Sequence, residues 1–135
     1  MSKSTPMPDG IGPPVAPYSP VVISGELVFL SGQIPYDADN QLVEGGIELQ
    51  THQVLTNMEK CLEAAGCSFE DVVKVNSFLS DFADFPGFNA VYEQYFKAPL
   101  PTRTTVQVGL HGFRVEVEAI ARRPSADSTD PERAQ

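Results

Sequence analysis

Two charged residues stand in segments that otherwise have the alternating, β-branched character of strands. Arg103 opens the segment 103–109, and Glu116 lies inside the segment 113–123. Burying a guanidinium or a carboxylate is costly unless the group is paired or meets a charged ligand. Arg103 and Glu116 are therefore the first candidates for a binding or catalytic site. The alternative is that both lie on a solvated sheet face, because half-exposed antiparallel strands normally carry charge on one side.

The rest of the pattern predicts the scaffold that must position these two residues. Apolar residues recur at three- and four-residue spacing from Ile47 to Ala65, which predicts a helix that Gly66 ends. A second helix is predicted from about Asp84, as its N-cap, to Phe96. Strands are predicted at 20–24 and 27–32, joined by a tight turn at Gly25 and Glu26, and at 72–80, 103–109 and 113–123.

The order of these elements predicts the fold class. Strand, strand, helix, strand, helix, strand, strand is typical of an α+β two-layer sandwich, with both helices on one face of a mixed sheet. The other face, rich in Val and Phe, then has no element left to cover it. Self-association would bury that face, so the pattern predicts an oligomer.

Composition and the flanking segments limit the class of protein further. Residues 1–17 contain five prolines and are expected to run over the surface, residues 18–123 to form one domain, and residues 124–135 to form a disordered acidic tail. With 9 Lys and Arg against 18 Asp and Glu, the net charge is −9, and Arg122-Arg123 is the densest basic run. Nucleic-acid binding is therefore not expected.

Targeting and redox signals are equally sparse in the sequence. No apolar run is long enough to predict a membrane span, and the N-terminus lacks the apolar core of a secretory signal. Cys61 and Cys67 form neither a CxxC pair nor a disulfide framework. These observations favour a reduced, cytoplasmic protein with no membrane partner.

Six short motifs occur in order along the predicted domain. They are Ala16-Pro17-Tyr18, Ser31-Gly32-Gln33-Ile34-Pro35, Ala64-Ala65-Gly66, Asn89 with Tyr92-Glu93 and Tyr95-Phe96, Pro101-Thr102-Arg103, and Val115 to Ala121. Together these motifs resemble the Rid family, the reactive intermediate deaminases, and in particular its RidA branch. No single motif is diagnostic, but six in register are hard to obtain by chance. The resemblance extends over roughly residues 15–123.

This resemblance implies a chorismate-mutase-like fold, assembled as a homotrimer with a ligand cleft between each pair of subunits. It implies hydrolysis of 2-enamine and 2-imine acids, such as 2-aminoacrylate, to 2-keto acids and ammonia, with no metal or organic cofactor. Matched residue by residue, Arg103 is implied to bind the substrate carboxylate and Glu116 to handle the water. Tyr18 at the cleft mouth, Asn89 on the second helix and Gly32 in the pocket wall are implied as further ligand contacts.

The implied chemistry agrees with the residue types. A 2-iminium acid is already an activated electrophile, so it needs to be held and supplied with water. Arg103 can take a carboxylate bidentately, and Glu116 can accept a proton from water and return it to the leaving amine. Backbone groups near Thr105 are expected to orient the imine nitrogen. Many RidA proteins have cysteine at the position of Thr105, and the loop 109–112 also departs from the common form. The resemblance therefore does not determine which side chain the physiological imine substrate carries.

The remaining candidates favour structural interpretations. His52 and His111 lack the partner ligands that a metal site needs. Cys61 is expected in the core, and Cys67, after the helix end, is expected to be exposed. The aromatic stripe of the second helix is interpreted as core. Tyr18 and Asn89 also have ordinary explanations, as a packing aromatic and a helix-surface amide.

Two functions from other classes stay open beside the deaminase. One is a trimer that binds small ligands or acts like a chaperone without catalysis, which predicts exposed apolar surface and no rate enhancement. The other is endoribonuclease activity, which has been attributed to relatives of the family. The net charge of −9 and the lack of a basic stripe argue against it.

Overall fold

A computed structural model describes residues 3–124 and contains five strands and two α-helices in the predicted order. Each boundary lies within two residues of its prediction. The strands are β1 (Val21–Ser24), β2 (Leu27–Gln33), β3 (Val72–Leu79), β4 (Thr102–Gln107) and β5 (Val115–Arg122); the helices are α1 (Ile47–Ala64) and α2 (Phe85–Tyr95). Gly25 has a φ of +61°, as expected for the tight turn between β1 and β2.

The strands form one mixed sheet in the order β1-β2-β5-β3-β4. The pair β3 and β4 is parallel, and every other neighbouring pair is antiparallel. A parallel pair needs a long crossover, and α2 supplies it between β3 and β4. Helix α2 therefore lies beside the strand that carries Arg103.

The core lies between the sheet and the two helices. Val28, Val75 and Val117 are fully buried on the helix-covered face, where they meet apolar residues of α1 and α2. On the opposite face, Leu27 and Phe29 stay 43% and 39% exposed. The predicted two-layer α+β sandwich with both helices on one face is therefore confirmed, and no element among residues 3–124 covers the other face.

The end of α1 corrects the prediction for Cys67. Gly66 adopts a φ of +74°, and the amide of Cys67 donates to the carbonyl of Leu62 at 2.8 Å. This pattern is a Schellman motif, which folds the second residue after the helix back over its last turn. Cys67 is consequently buried, and the expectation that it would be exposed is wrong. Cys61 is buried as predicted.

The start of α2 also differs in detail from its prediction. Asp84 precedes the helix, but its side chain does not cap it and instead meets Arg114 at 3.1 Å. The capping carboxylate is Asp81, which accepts a hydrogen bond from the amide of Ala83 at the head of a short 3₁₀ turn, Phe82–Asp84. The chain enters α2 through this turn, which moves the cap upstream.

The N-terminal segment has no helix among the described residues and only one bridge to the sheet, between Ser4 and Ile23. Lys60 ties the segment down by donating to the carbonyl of Gly10 at 2.9 Å. Apart from Pro124, the predicted acidic tail lies outside the described residues, as do Met1 and Ser2. No helix in the described part of the chain is long and apolar enough to cross a membrane.

Candidate active site

Arg103 lies on β4 directly opposite Val75 of β3, so its side chain is on the helix-covered face of the sheet. Its guanidinium carbon is 4.7 Å from the ring centroid of Tyr92, 5.4 Å from that of Phe88 and 5.6 Å from that of Phe85. These three rings belong to α2. Their π-faces attract the cation without neutralising it.

No carboxylate neutralises Arg103 among residues 3–124. The two ion pairs there join Arg114 to Asp84 and Arg122 to Glu26. A half-buried guanidinium with no acidic partner has lost water and gained no counter-charge. This arrangement favours an anionic ligand, and a planar carboxylate fits the guanidinium fork.

Three of the buried side-chain polar atoms that lack a hydrogen-bond partner in residues 3–124 belong to residues of α2 and β4. They are Oδ1 of Asn89, the hydroxyl of Tyr92, and Oγ1 of Thr105, which lies two residues after Arg103 on the same strand face. Asn89 and Tyr92 lie one helical turn apart and line a surface cleft of about 420 Å³ together with Arg103. We call Asn89, Tyr92, Arg103 and Thr105 the arginine half-site. Buried polar atoms normally find partners, so this cluster is prepared for water or a ligand.

The hydroxyl of Tyr92 remains a hydrogen-bond donor over the whole neutral range. Burial raises the pKa of Tyr92 to about 12, and the nearby Arg103 opposes that rise. The protonated phenol can therefore donate beside the guanidinium. Tyr92 is 7% exposed, so a contact made there is shielded from water.

Glu116 lies on the other face of the sheet. It pairs with Phe78 of β3, which is three residues after Val75. Because side chains alternate along a strand, Phe78 and its partner Glu116 lie on the face opposite to Val75 and Arg103. Burial raises the pKa of the Glu116 carboxyl, and the charge of Glu118 adds to the rise. Glu118 is itself held by Asn76, whose Nδ2 donates to Oε2 of Glu118 at 3.1 Å.

Gly32 lies directly against the carboxylate of Glu116. It belongs to an irregular stretch of β2, where the pairing with β5 shifts between Leu30 and Gln33. A Cβ on Gly32 would collide with Oε2 of Glu116, so any other residue at this position would force the carboxylate to move. Bulges of this kind often occur next to active sites, where they redirect side chains.

Tyr18 is positioned by the residue that precedes Gly32. The hydroxyl of Ser31 donates to the carbonyl of Ser19 at 2.6 Å, and the amide of Ser31 donates to the carbonyl of Pro20. Tyr18 and Gly32 line the same pocket, and Tyr18 is 50% exposed at its edge. We call Tyr18, Gly32 and Glu116 the glutamate half-site.

The structure therefore divides the six predicted site residues into two groups. Arg103, Thr105 and Asn89 lie between β4 and α2, whereas Glu116, Gly32 and Tyr18 lie toward β2 and β5. Strand β3 separates β5 from β4, and the two key charges are on opposite faces of the sheet. A single chain does not bring Arg103 and Glu116 to one ligand.

Two features of the site were missed in the sequence. Tyr92, Phe88 and Phe85 were interpreted only as core, yet they also form the wall behind Arg103. Glu118 was not singled out, although it adjoins Glu116 on the same strand face. The alternation of Val115 to Glu118 contained that signal, because residues two apart on a strand share a face.

The two histidines lie away from both half-sites. Nδ1 of His52 is hydrogen-bonded to the hydroxyl of Tyr95 at 2.8 Å between the helices, and His111 is exposed in the loop before β5. Among residues 3–124, no group of three or more His, Cys, Asp or Glu side chains is placed to hold a metal ion.

The sheet order and the two helices on one face define a chorismate-mutase-like α+β protein. Residues 11–123 match the family described as Endoribonuclease L-PSP. The chain belongs to this family, and its relatives confirm the resemblance to the Rid proteins.

Three relatives illustrate that similarity. A goat (Capra hircus) protein named 2-iminobutanoate/2-iminopropanoate deaminase is 44% identical over 110 residues, which cover 79% of this chain and 80% of the goat protein. The structure of RidA from the Antarctic bacterium Psychrobacter sp. has 36% identity and a TM-score of 0.83, covering 88% of this chain and 98% of that one. The structure of E. coli TdcF with bound serine has 35% identity and a TM-score of 0.79, covering 84% and 94%.

Proposed function

We propose that this chain is a hydrolytic deaminase that converts 2-imino and 2-enamino acids to 2-keto acids and ammonia. We further propose that it acts as a homotrimer whose sites form between subunits. The goat relative carries the name of such a deaminase, and the E. coli relative binds serine, a small molecule with a carboxylate and an amine. Both properties match what the two half-sites offer chemically.

The placement of Arg103 and Glu116 on opposite sheet faces is the observation that carries this proposal. Each chain then supplies two incomplete halves. If the uncovered sheet face packs on a second copy, the glutamate half-site of one subunit can approach the arginine half-site of its neighbour. The exposed Leu27 and Phe29 on that face supply an apolar reason for the copies to associate.

Arg103 would bind the substrate carboxylate through two parallel N–H···O hydrogen bonds. Lysine could not reproduce this geometry, because its ammonium lacks the planar fork. The hydroxyl of Tyr92 and Oδ1 of Asn89 would supply a donor and an acceptor beside the guanidinium. The substrate is thereby oriented with its C=N carbon toward the glutamate of the neighbouring subunit.

Glu116 would act on the attacking water. Its ionised carboxylate accepts one proton as the water oxygen bonds to the iminium carbon, and returns that proton to the nitrogen of the resulting carbinolamine. As the C–N bond breaks and the C=O bond forms, the carboxylate takes the remaining hydroxyl proton and passes it to the departing ammonia, which leaves as ammonium. The products are the 2-keto acid and ammonia, and Glu116 returns to its starting state. The raised pKa makes this carboxylate a stronger base than an ordinary glutamate.

Mixing two inactive variants tests the shared site. Arg103→Ala and Glu116→Gln chains, unfolded and refolded together in equal amounts, should regain about a quarter of the wild-type rate, because random cyclic assembly pairs intact halves at about one contact in four. Each variant refolded alone is the control and should stay inactive. Failure of the mixture to regain activity, with trimers formed, would show that the halves do not combine across subunits.

The exposed apolar face also favours the alternative of a non-catalytic, chaperone-like trimer. That function requires Leu27 and Phe29 to remain exposed after assembly. A hydrophobic dye should bind the assembled protein strongly in that case, and no imine should be hydrolysed faster than in buffer. Endoribonuclease activity remains disfavoured by the net charge of −9. Labelled RNA at low salt would test it, since real cleavage must disappear in Arg103→Ala.

A further inference from the structure

We propose that Ser77 of β3 is a positioning residue of the arginine half-site, whose buried hydroxyl forms a hydrogen bond with the hydroxyl of Thr105 and so holds the middle of β4 in place. This inference rests on the proposed deaminase function and adds to it a residue that touches neither substrate nor product. Ser77 is fully buried, and its Oγ has no other hydrogen-bond partner among residues 3–124.

Ser77 and Thr105 are direct neighbours across the pair of strands β3 and β4. Their Cα atoms are partners in the parallel register, two residues after the partners Val75 and Arg103. Both side chains therefore lie on the helix-covered face, with Thr105 next to Arg103. Adjacent strands are ~4.8 Å apart, so rotation about the Cα–Cβ bonds can bring the two hydroxyl oxygens within hydrogen-bond distance.

Within the sheet, Thr105 is the polar side chain directly beside Ser77. The other neighbours of Ser77 on this face are apolar, namely Val117 on β5 and Val75 and Leu79 on β3. Oγ1 of Thr105 is also buried and has no partner elsewhere in the described chain. Because buried hydroxyls normally find partners, one hydrogen bond between the two residues satisfies both oxygens.

The position of Thr105 between two existing anchors gives this bond its importance. Oγ1 of Thr102 donates to the carbonyl of Val73 at 3.2 Å at one end of β4, and Oε1 of Gln107 accepts from the amide of Phe82 at 2.7 Å at the other. Within residues 3–124, β4 is an edge strand that pairs with β3 alone. Edge segments with few buried contacts open locally at low free energy, so an anchor at Thr105 stabilises the middle of β4.

The backbone of Thr105 is the group that this anchor holds for a ligand. The amide of Val108, just after β4, donates to the carbonyl of Leu79 at 2.9 Å. Every second residue of a strand turns its amide to a given neighbour, so the amides of Arg103 and Thr105 point to the unpaired edge. An amide donor two residues from Arg103 is thereby available to a ligand, and the conformation of Thr105 determines its direction.

A double-mutant cycle tests whether Ser77 acts through Thr105. Ser77→Ala removes one hydroxyl, Thr105→Val removes the other while keeping the shape of the side chain, and semicarbazide trapping follows imine loss. Each single variant should raise KM by ~3–10-fold at constant kcat, because one hydrogen bond contributes on this scale and the amide contact is common to ground and transition states. In the Thr105→Val background, Ser77→Ala should change KM no further. Effects that multiply would overturn the proposal.

Thr51→Val is the matched control for the loss of a buried hydroxyl. Thr51 is fully buried on α1, a helix that carries no residue of the arginine half-site, and its Oγ1 donates to the carbonyl of Ile47 at 2.7 Å. KM should stay at the wild-type value in this variant. If KM rose as much as in Ser77→Ala, the effect would reflect a general loosening of the fold and the positioning role would be lost.

The rotamer of Thr105 gives a spectroscopic signature that does not depend on catalysis. In isotopically labelled protein, three-bond couplings to the γ2-methyl carbon of Thr105 should report one rotamer in the wild type and averaged rotamers in Ser77→Ala. Thr105→Val identifies the resonance. The same single rotamer in both proteins would contradict the hydrogen bond.

Binding of a 2-keto acid separates this inference from the deaminase proposal. If the wild type hydrolyses no imine, the deaminase proposal fails, and calorimetry with pyruvate reads the same cycle as changes in Kd. Pyruvate binding that is ~3–10-fold weaker in Ser77→Ala, with no further change in the Thr105→Val background, supports the positioning role. Equal pyruvate binding by wild type and Ser77→Ala, or no binding by either, overturns it.

Discussion

Replacing Arg103 offers the sharpest test of the arginine half-site. Two charge-assisted hydrogen bonds to a carboxylate contribute ~1.5–3 kcal/mol each, so Arg103→Ala should lower kcat/KM by ~10²–10⁴-fold. Arg103→Lys keeps the charge but loses the second bond, and should lower kcat/KM by ~10–100-fold. Both losses should appear for every imine, because all substrates share the carboxylate.

The fold should tolerate the same substitution. Arg103 has no ionic partner among residues 3–124, and its contacts with Tyr92, Phe88 and Phe85 oppose the cost of burying its charge. The cation–π contacts contribute ~0.5–2 kcal/mol and are offset by the cost of half-burying the charge, so the free energy of unfolding should change by less than ~2 kcal/mol. Denaturant titration of wild type and Arg103→Ala measures that difference.

Arg114→Ala is the matched control for this experiment. The guanidinium of Arg114 pairs with Asp84 at 3.1 Å, and its side chain is 48% exposed. Its loss should cost ~0–1 kcal/mol of stability and leave kcat/KM unchanged. The assay follows imine loss by trapping the remainder with semicarbazide. If Arg103→Lys keeps the wild-type kcat/KM, Arg103 does not bind the substrate carboxylate bidentately. If Arg103→Ala is unfolded under native conditions, the role of Arg103 is structural.

Three further substitutions probe single contacts. The proposed mechanism requires ionised Glu116, so kcat/KM should fall on acidification at a pH above that for an ordinary glutamate. Glu118→Gln removes a charge that raises the pKa of Glu116, and it should move the fall to lower pH in a pH–rate profile. Tyr92→Phe should raise KM ~3–10-fold at constant kcat, whereas Tyr95→Phe, whose hydroxyl is outside the site, should not. Gly32→Ala should displace the Glu116 carboxylate and lower kcat, which steady-state kinetics would detect; an unchanged kcat would contradict that contact.

The fold was largely predictable because local patterns determine most of it. The three- and four-residue spacing from Ile47 onward and the glycine at 66 fixed α1, and alternation fixed the strands. The exposure of Cys67 was mispredicted because burial there depends on the Schellman turn, a geometry beyond the residue itself. The capping role of Asp84 was mispredicted because a tertiary partner, Arg114, competes for its side chain.

The division of the site was harder to predict. Alternation shows that residues two apart share a face, but it does not relate the faces of two different strands. That relation depends on register, here Val75 opposite Arg103 and Phe78 opposite Glu116. The sequence therefore predicted both charged residues as candidates without indicating that one chain holds them apart.

The position of β4 at the edge of the sheet has a consequence for dynamics. Within residues 3–124, β4 is hydrogen-bonded to β3 alone, and four of its six residues are exposed. Edge segments with few buried contacts open locally at low free energy, without unfolding the whole domain. Amide hydrogen exchange in dilute protein should therefore be faster in β4 than in the central β5. A bound 2-keto acid should slow exchange around Arg103 most strongly, because the ligand would stabilise a strand that the sheet supports on one side only.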